Sequence, residues 1–235
     1  MTYKIIKDYN QLQNFVDLLE DNSDDERYML YLMARKKYGA LPGLNADKNQ
    51  LKRIMCHKKD IIRSLEQLEV KEGNWKLEDT PIPEHNLVVY IQPNLRSLKK
   101  ASRLLITKLV DGLVDGGNLN AKSLFYNCLQ TSSAKRKWTI LDVDPSKEDV
   151  LNSRSLFIDL NKIFSHYSST PVYTSIKTKN GFHILVNNEV ATKANKLWYN
   201  SIAALEHDKY SITITSDNMC ALPGTTQGGY QPELL

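Results

Sequence analysis

The sequence predicts a mixed α+β fold, and three observations support that prediction. After residue 85, short apolar stretches typical of strands alternate with amphipathic stretches typical of helices. Two strand-like stretches, 170–178 and 181–188, are joined by the tight sequence KNG, which favours a hairpin over an all-parallel sheet. Up to residue 80, apolar residues recur at helical spacing instead. We therefore expect a helical N-terminal region over 1–80 and a mixed sheet with flanking helices over 85–235.

Three stretches of the N-terminal region are predicted as helices. Residues 9–21 (YNQLQNFVDLLED) place apolar side chains on one helical face. Residues 24–39 (DDERYMLYLMARKKYG) begin with acids and end with bases and a glycine, which suits the helix dipole. Residues 45–70 form the third stretch, and the polar, proline-containing segment 72–86 reads as a connector.

The second part of the chain reads as five strands and three helices. The predicted strands are 86–93, 137–144, 170–178, 181–188 and 210–215, and the predicted helices are 97–117, 153–168 and 191–208. The last segment, 219–230 (MCALPGTTQGGY), is rich in turn-forming residues.

Composition excludes several classes of protein. Apolar residues make up 41% of the 235 residues, which is enough for a sizeable core and argues against disorder. The net charge of +4 favours a polyanionic partner only where positive charge is clustered. The three cysteines are far apart, which argues against a disulfide framework or a cysteine-pair zinc site. Without a signal-like N-terminus or an 18-residue apolar run, we expect a cytoplasmic protein with no membrane contact.

Two carboxylates stand one residue apart at the end of an apolar strand, in WTILDVDPSK. On a strand, Asp142 and Asp144 point to the same face, about 6–7 Å apart. Such a pair suits hard divalent cations, which prefer oxygen ligands. An exposed acidic turn ending at Pro145 is the alternative interpretation.

A histidine begins the apolar strand that follows the KNG turn. Alternation places His183 and Leu185 on one face of this strand. Together with Lys177, Lys179 and the amide of Gly181, His183 could cradle a phosphate. A half-buried histidine with a purely structural hydrogen bond is the alternative.

Basic residues follow the first predicted strand in PNLRSLKKASR and precede the Asp142 strand in SSAKRKW. Asn94 and Arg96 enter a helix that carries further cations and has no acid before Asp111. These segments suit phosphate contacts, as in a nucleotide or nucleic-acid site. A solvated helix face explains them equally well.

In this order, ILDVD, GFH and LPGTTQGG resemble the catalytic domain of the archaeo-eukaryotic primase superfamily, the primase-polymerases. The resemblance covers about residues 85–230 and implies a mixed sheet with an RRM-like catalytic half. The family's second motif has serine where this chain has Gly181, and Ala221 replaces the arginine usual before LPGT. The third acid of the family pattern corresponds to Asp208 or to Asp217, with Asp208 favoured.

The resemblance implies a DNA primase or primase-polymerase that transfers nucleotides to a 3′-hydroxyl on a single-stranded DNA template. Asp142, Asp144 and the third acid would hold two Mg²⁺ or Mn²⁺ ions. The nucleotide, an NTP or a dNTP, would be bound by six residues: Asn94, Arg96, Lys177, Lys179, Gly181 and His183. Unwinding would need a separate helicase or other replication protein. A stand-alone domain of this type fits a phage or mobile element.

Two other classes of function remain open on the sequence. Another DxD metal-dependent transferase or nuclease would use the carboxylates without a template. A non-catalytic protein that binds single-stranded nucleic acid would leave the carboxylates unused.

Overall fold

The fold of the chain is mixed α+β and contains antiparallel sheets. The computed structural model describes residues 1–40, 47–116, 120–145, 153–164, 171–205 and 210–235. The helices of this part are α1 (Tyr9–Leu18), α2 (Ile61–Glu66), α3 (Leu98–Val114), α4 (Ala121–Thr131), α5 (Ser153–Phe164), α6 (Asn188–Ala194) and α7 (Trp198–Leu205). Its strands are β1 (Glu26–Arg35), β2 (Lys48–Cys56), β3 (Lys76–Leu77), β4 (Thr80–Pro81), β5 (Leu87–Ser97), β6 (Trp138–Pro145), β7 (Tyr173–Lys177), β8 (Phe182–Asn187), β9 (Tyr210–Thr215), β10 (Cys220–Ala221) and β11 (Glu233–Leu234).

The first sheet has the strand order β10-β5-β1-β2, with antiparallel neighbours throughout. This sheet combines β1 and β2, from the region expected to be helical, with β5 and β10, which lie beyond the boundary expected between residues 80 and 85. One face packs its side chains in a cluster with α1 and α2, and the other face packs with α3 and α4.

The prediction of helices over residues 24–39 and over the first part of 45–70 is wrong. Both faces of β1 are covered, so it is apolar at nearly every position and carries no alternation that would mark a strand. The charges at its ends suit a helix, but pairing with β2 and β5 overrides that weak local preference. The helices predicted at residues 9–21 and near 61–66 are confirmed by α1 and α2.

The predicted first strand extends past its proline. β5 continues through Pro93 to Ser97 because the register between β1 and β5 shifts between Arg27 and Met29. Pro93 lies within this irregular part, where a missing amide hydrogen costs no regular ladder bond.

The second sheet has the order β11-β7-β8-β6-β9 and is antiparallel throughout. On one face, Leu141, Val143 and Ile184 pack in a cluster with α5, α6 and α7. On the other face, Ile140 and Leu185 join the core shared with the first sheet. The strands predicted here are confirmed.

The helix predicted over 191–208 is two helices in the structure. α6 ends at Ala194 and is capped by the extended backbone of Asn195, whose side chain accepts a hydrogen bond from the amide of Leu197. An asparagine that bonds its own neighbouring amides competes with continuous helix, which explains the break.

Candidate functional site

A cleft opens between the two sheets. On one side lie the C-terminal end of β6 and the start of β8, and on the other side lie the C-terminal end of β1 and the start of β2. Its acidic wall carries Asp142, Asp144 and His183. Its opposite wall carries three cationic side chains from the N-terminal part of the chain, Arg35, Lys37 and Lys48. Tyr38, Tyr90, Thr178, Asn180, Asn218, Met219 and Gln227 also line the cleft, together with Met33.

Asp142 and His183 are direct cross-strand partners on β6 and β8. The Nε2 atom of His183 lies 3.3 Å from Oδ1 of Asp142. On the other side of the ring, Nδ1 accepts a hydrogen bond of 2.8 Å from the amide of Ala221. Because Nδ1 is an acceptor, a neutral His183 carries its proton on Nε2 and donates it into the cleft.

The hydrogen bond from His183 holds the pKa of Asp142 below its ordinary value of 3.8, against the opposing effect of partial burial. Lys37 and Lys48 on the opposite wall act in the same direction as His183. The side chain of Asp142 is still 51% exposed, so its second oxygen is accessible to a ligand. The site thus keeps this carboxylate ionised and open to the cleft.

Asp144 lies two residues beyond Asp142, is exposed and lines the same cleft. Val143, between them, is buried in the cluster under the helices. This alternation follows from the strand geometry of β6, which pairs with β9 as far as Pro145. The two carboxylates therefore stand side by side at the open end of a rigid strand.

The cationic wall was not predicted from the sequence, because Arg35, Lys37 and Lys48 lie in stretches that were predicted to be helical. Arg35 is anchored by Asp47, at 2.7 Å and 3.0 Å, and by the hydroxyl of Tyr90 at 2.7 Å. Burial, together with the nearby Arg35, lowers the pKa of Lys37, and Asp144 acts in the opposite direction. The run Arg35-Lys36-Lys37 was the available signal.

Tyr38 forms the corner between this wall and the C-terminal loop. The nitrogen of Lys179 lies 4.7 Å from the ring centroid and that of Lys37 lies 5.1 Å away. Gly228, with a φ of +61°, sits directly under the ring. Burial raises the pKa of Tyr38 to about 12, so its hydroxyl stays protonated at neutral pH.

The turn after β7 is fastened to the C-terminal loop. The side-chain nitrogen of Lys179 donates to the carbonyl of Gly228 at 2.7 Å. The main-chain amide of Lys179 donates to the side-chain oxygen of Gln227 at 2.9 Å. The amide of Gly181 donates to the hydroxyl of Thr178 at 3.1 Å, so it is already engaged. Lys177 is exposed at the end of β7 and does not line the cleft.

Asn94 and Arg96 are buried between the two sheets and do not line the cleft. The side chain of Asn94 donates to the carbonyl of Trp138 and accepts from the main-chain N–H of Trp138, each at 2.8 Å. This pair of hydrogen bonds connects β5 to β6. Arg96 is fully buried and forms an ion pair with Asp217 at 2.5 Å. Ser133 bonds both of these side chains.

Asp217 is thus engaged in this buried network, and Asp208 lies outside the described residues. Within the described ranges, no three side chains of the His, Cys, Asp and Glu types come together as a metal site. Asp142 and Asp144 supply carboxylate oxygens of the kind that Mg²⁺ and Mn²⁺ prefer. The carboxylate donors on the acidic wall fit a hard divalent cation.

In the described part of the chain, no helix combines the length and the apolar character needed to cross a membrane. No protein-family model, curated protein or solved structure matches this chain. The geometry of the cleft is therefore the basis for assigning a function.

Proposed function

We propose that this chain is a template-directed nucleotidyltransferase of the primase-polymerase type. One observation carries the proposal: Asp142, Asp144 and His183 share one wall of a cleft whose opposite wall is cationic. A nucleoside triphosphate bound with divalent cations needs both kinds of wall, carboxylates for the metal and cations for the phosphates. The order of motifs in the sequence supports the same function.

In this proposal, Asp142 and Asp144 hold the divalent cations, Mg²⁺ or Mn²⁺, and keep them at the strand end. When bound, such ions supply activation of the 3′-hydroxyl and neutralise charge on the triphosphate. On nucleotide binding, the Nε2 hydrogen bond of His183 would change its acceptor from Asp142 to a phosphate oxygen, with the ring held in place by Ala221. Lys37 and Lys48 attract the triphosphate from the opposite wall.

The partners proposed for this activity are a single-stranded DNA template and NTPs or dNTPs. Unwinding of duplex DNA would fall to a separate helicase. We propose two divalent cations as cofactors, with Asp208 as the candidate for the third acid.

The test is primer extension on a single-stranded DNA template, with Mg²⁺ or Mn²⁺ and with NTPs or dNTPs. Asp142→Asn removes the ionised carboxylate while keeping the size of the side chain, so we expect it to abolish synthesis but preserve DNA binding. Asp24→Asn, at an exposed acid outside the cleft, is the matched control and should extend primers normally. Normal synthesis by Asp142→Asn would refute the role of this carboxylate.

A further inference from the structure

Two basic segments that are far apart in the sequence lie side by side in the fold. Lys100, in the first turn of α3, reaches the chain between α4 and β6, where its nitrogen lies 2.8 Å from the carbonyl of Ser133 and 3.4 Å from that of Ala134. The two segments enclose a groove of about 490 Å³, which we call the basic groove. It is lined by Lys100, Leu104, Thr131, Ser132, Ser133, Ala134 and Arg136. Its volume lies within the range of pockets that bind ligands.

The cations in and beside the basic groove are not all neutralised by the protein. Lys135 and Lys137 share the single carboxylate of Glu20, at 3.7 Å and 3.8 Å, which offsets only one of their two charges. In the described ranges, neither Arg136 nor Arg103 has a carboxylate within ion-pair distance. Arg103 is exposed on α3, one turn after Lys100. Free guanidinium groups beside a groove attract phosphates.

The acids near this surface are already engaged by the protein or lie at its ends: Glu20 faces Lys135 and Lys137, and Asp217 pairs with the buried Arg96. Asp25 caps the start of α3, where it accepts hydrogen bonds from Ser97 and from the amide of Lys99. The next acid on α3 is Asp111, about 16 Å further along the helix axis than Lys100. The middle of the basic groove therefore presents the exposed cations of Lys100 and Arg136 to solvent.

One buried network separates the basic groove from the cleft. Ser133, on the floor of the groove, bonds Arg96 and Asp217. The two residues that follow Asp217, Asn218 and Met219, line the cleft. A nucleic-acid strand lying in the groove would therefore be separated from the cleft only by this network.

We propose that the basic groove binds the sugar-phosphate backbone of a single-stranded nucleic acid that continues into the cleft. The groove offers cations, which suit phosphate contacts and carry no information on base sequence. The placement of the strand relative to the cleft rests on the proposed function, whereas the binding itself does not. The groove is thus a binding site separate from the acidic wall.

The test measures the affinity for a fluorescent oligothymidylate of about 20 nucleotides as a function of salt concentration. Each phosphate contact that is lost should reduce the slope of log affinity against log salt by about 0.7. We expect this reduction for Arg136→Gln and for Arg103→Gln, and about twice as much for the double variant. Lys76→Gln, at an exposed lysine on β3, is the matched control and should leave the slope unchanged.

Unchanged slopes in both arginine variants, with circular dichroism showing intact folding, would overturn the groove proposal. Tighter binding of the wild type to a duplex of the same length would also overturn it. Asp142→Asn distinguishes this result from failure of the proposed function, because it should bind the oligonucleotide with the wild-type slope. If the arginine variants show the reduced slope while the wild-type protein extends no primer, the groove proposal would be supported and the proposed function would not.

Discussion

His183 illustrates how one residue receives its role from two neighbours. Ala221, in the C-terminal loop, donates to Nδ1, while Asp142, on the adjacent strand, faces Nε2. The residue is only 8% exposed, so the orientation of the ring is fixed before any ligand binds. A histidine held in this way donates a proton in one direction only.

We predict that His183→Ala has two separate effects. The amide of Ala221 is buried and loses its acceptor, which should lower the free energy of unfolding by about 1–3 kcal/mol. In primer extension, the apparent KM for the nucleotide should rise more than kcat falls, because a phosphate contact is removed. Urea denaturation and steady-state kinetics measure the two effects. An unchanged KM would contradict the phosphate role and leave the structural one.

At the scale of elements, the C-terminal loop positions three other parts of the chain. It donates to His183, accepts from Lys179 and supports the ring of Tyr38. Gly224 contributes in the middle of the loop, where its carbonyl accepts from the amides of Lys7 and Asp8. The loop therefore decides the shape of the cleft although it contributes few side chains to it.

We predict that Gly228→Ala destabilises the protein more than Gly229→Ala does. Both glycines have positive φ, so both substitutions cost about 1–2 kcal/mol of backbone strain. At Gly228 the new Cβ would also collide with the ring of Tyr38, whereas at Gly229 the nearest atom would be 3.9 Å away. Equal losses in urea denaturation would show that Tyr38 moves aside freely. Nucleotide affinity should fall in Gly228→Ala only.

At the scale of the whole molecule, a few buried polar groups hold the two sheets together. Asn94 bonds the main chain of Trp138 and the carbonyl of Ser216. Arg96 pairs with Asp217, which follows β9. These contacts fix the distance between the sheets and thereby the width of the cleft.

We predict that Asp217→Ala lowers the free energy of unfolding by about 3 kcal/mol, because it leaves the buried Arg96 without its counter-ion. The loss is at the lower end of the range for buried pairs, since Arg96 keeps its bonds to Gln130 and Ser133. Glu189→Ala breaks an exposed ion pair with Lys193 and should cost far less, because solvent screens this pair. Abolished synthesis in a fully stable Asp217→Ala would instead make Asp217 the third acid.

The strands of the second sheet could be predicted from their alternation, because one face of the sheet packs against helices and the other joins the core shared with the first sheet. Alternation in ILDVD and FHILV reflects those two faces. The strands of the first sheet could not be predicted in the same way. β1 is buried on both sides, so its apolar run is compatible with a strand or with a helix.

The sequence by itself determined that Asp142 and Asp144 share a face, since a strand alternates with a period of two. Only the tertiary structure decided that His183 lies directly opposite Asp142, because that depends on the register between β6 and β8. It also decided that Arg96 pairs with Asp217, 121 residues away, and that Arg35, Lys37 and Lys48 face the carboxylates. Such contacts follow from the packing of two sheets, which no local pattern encodes.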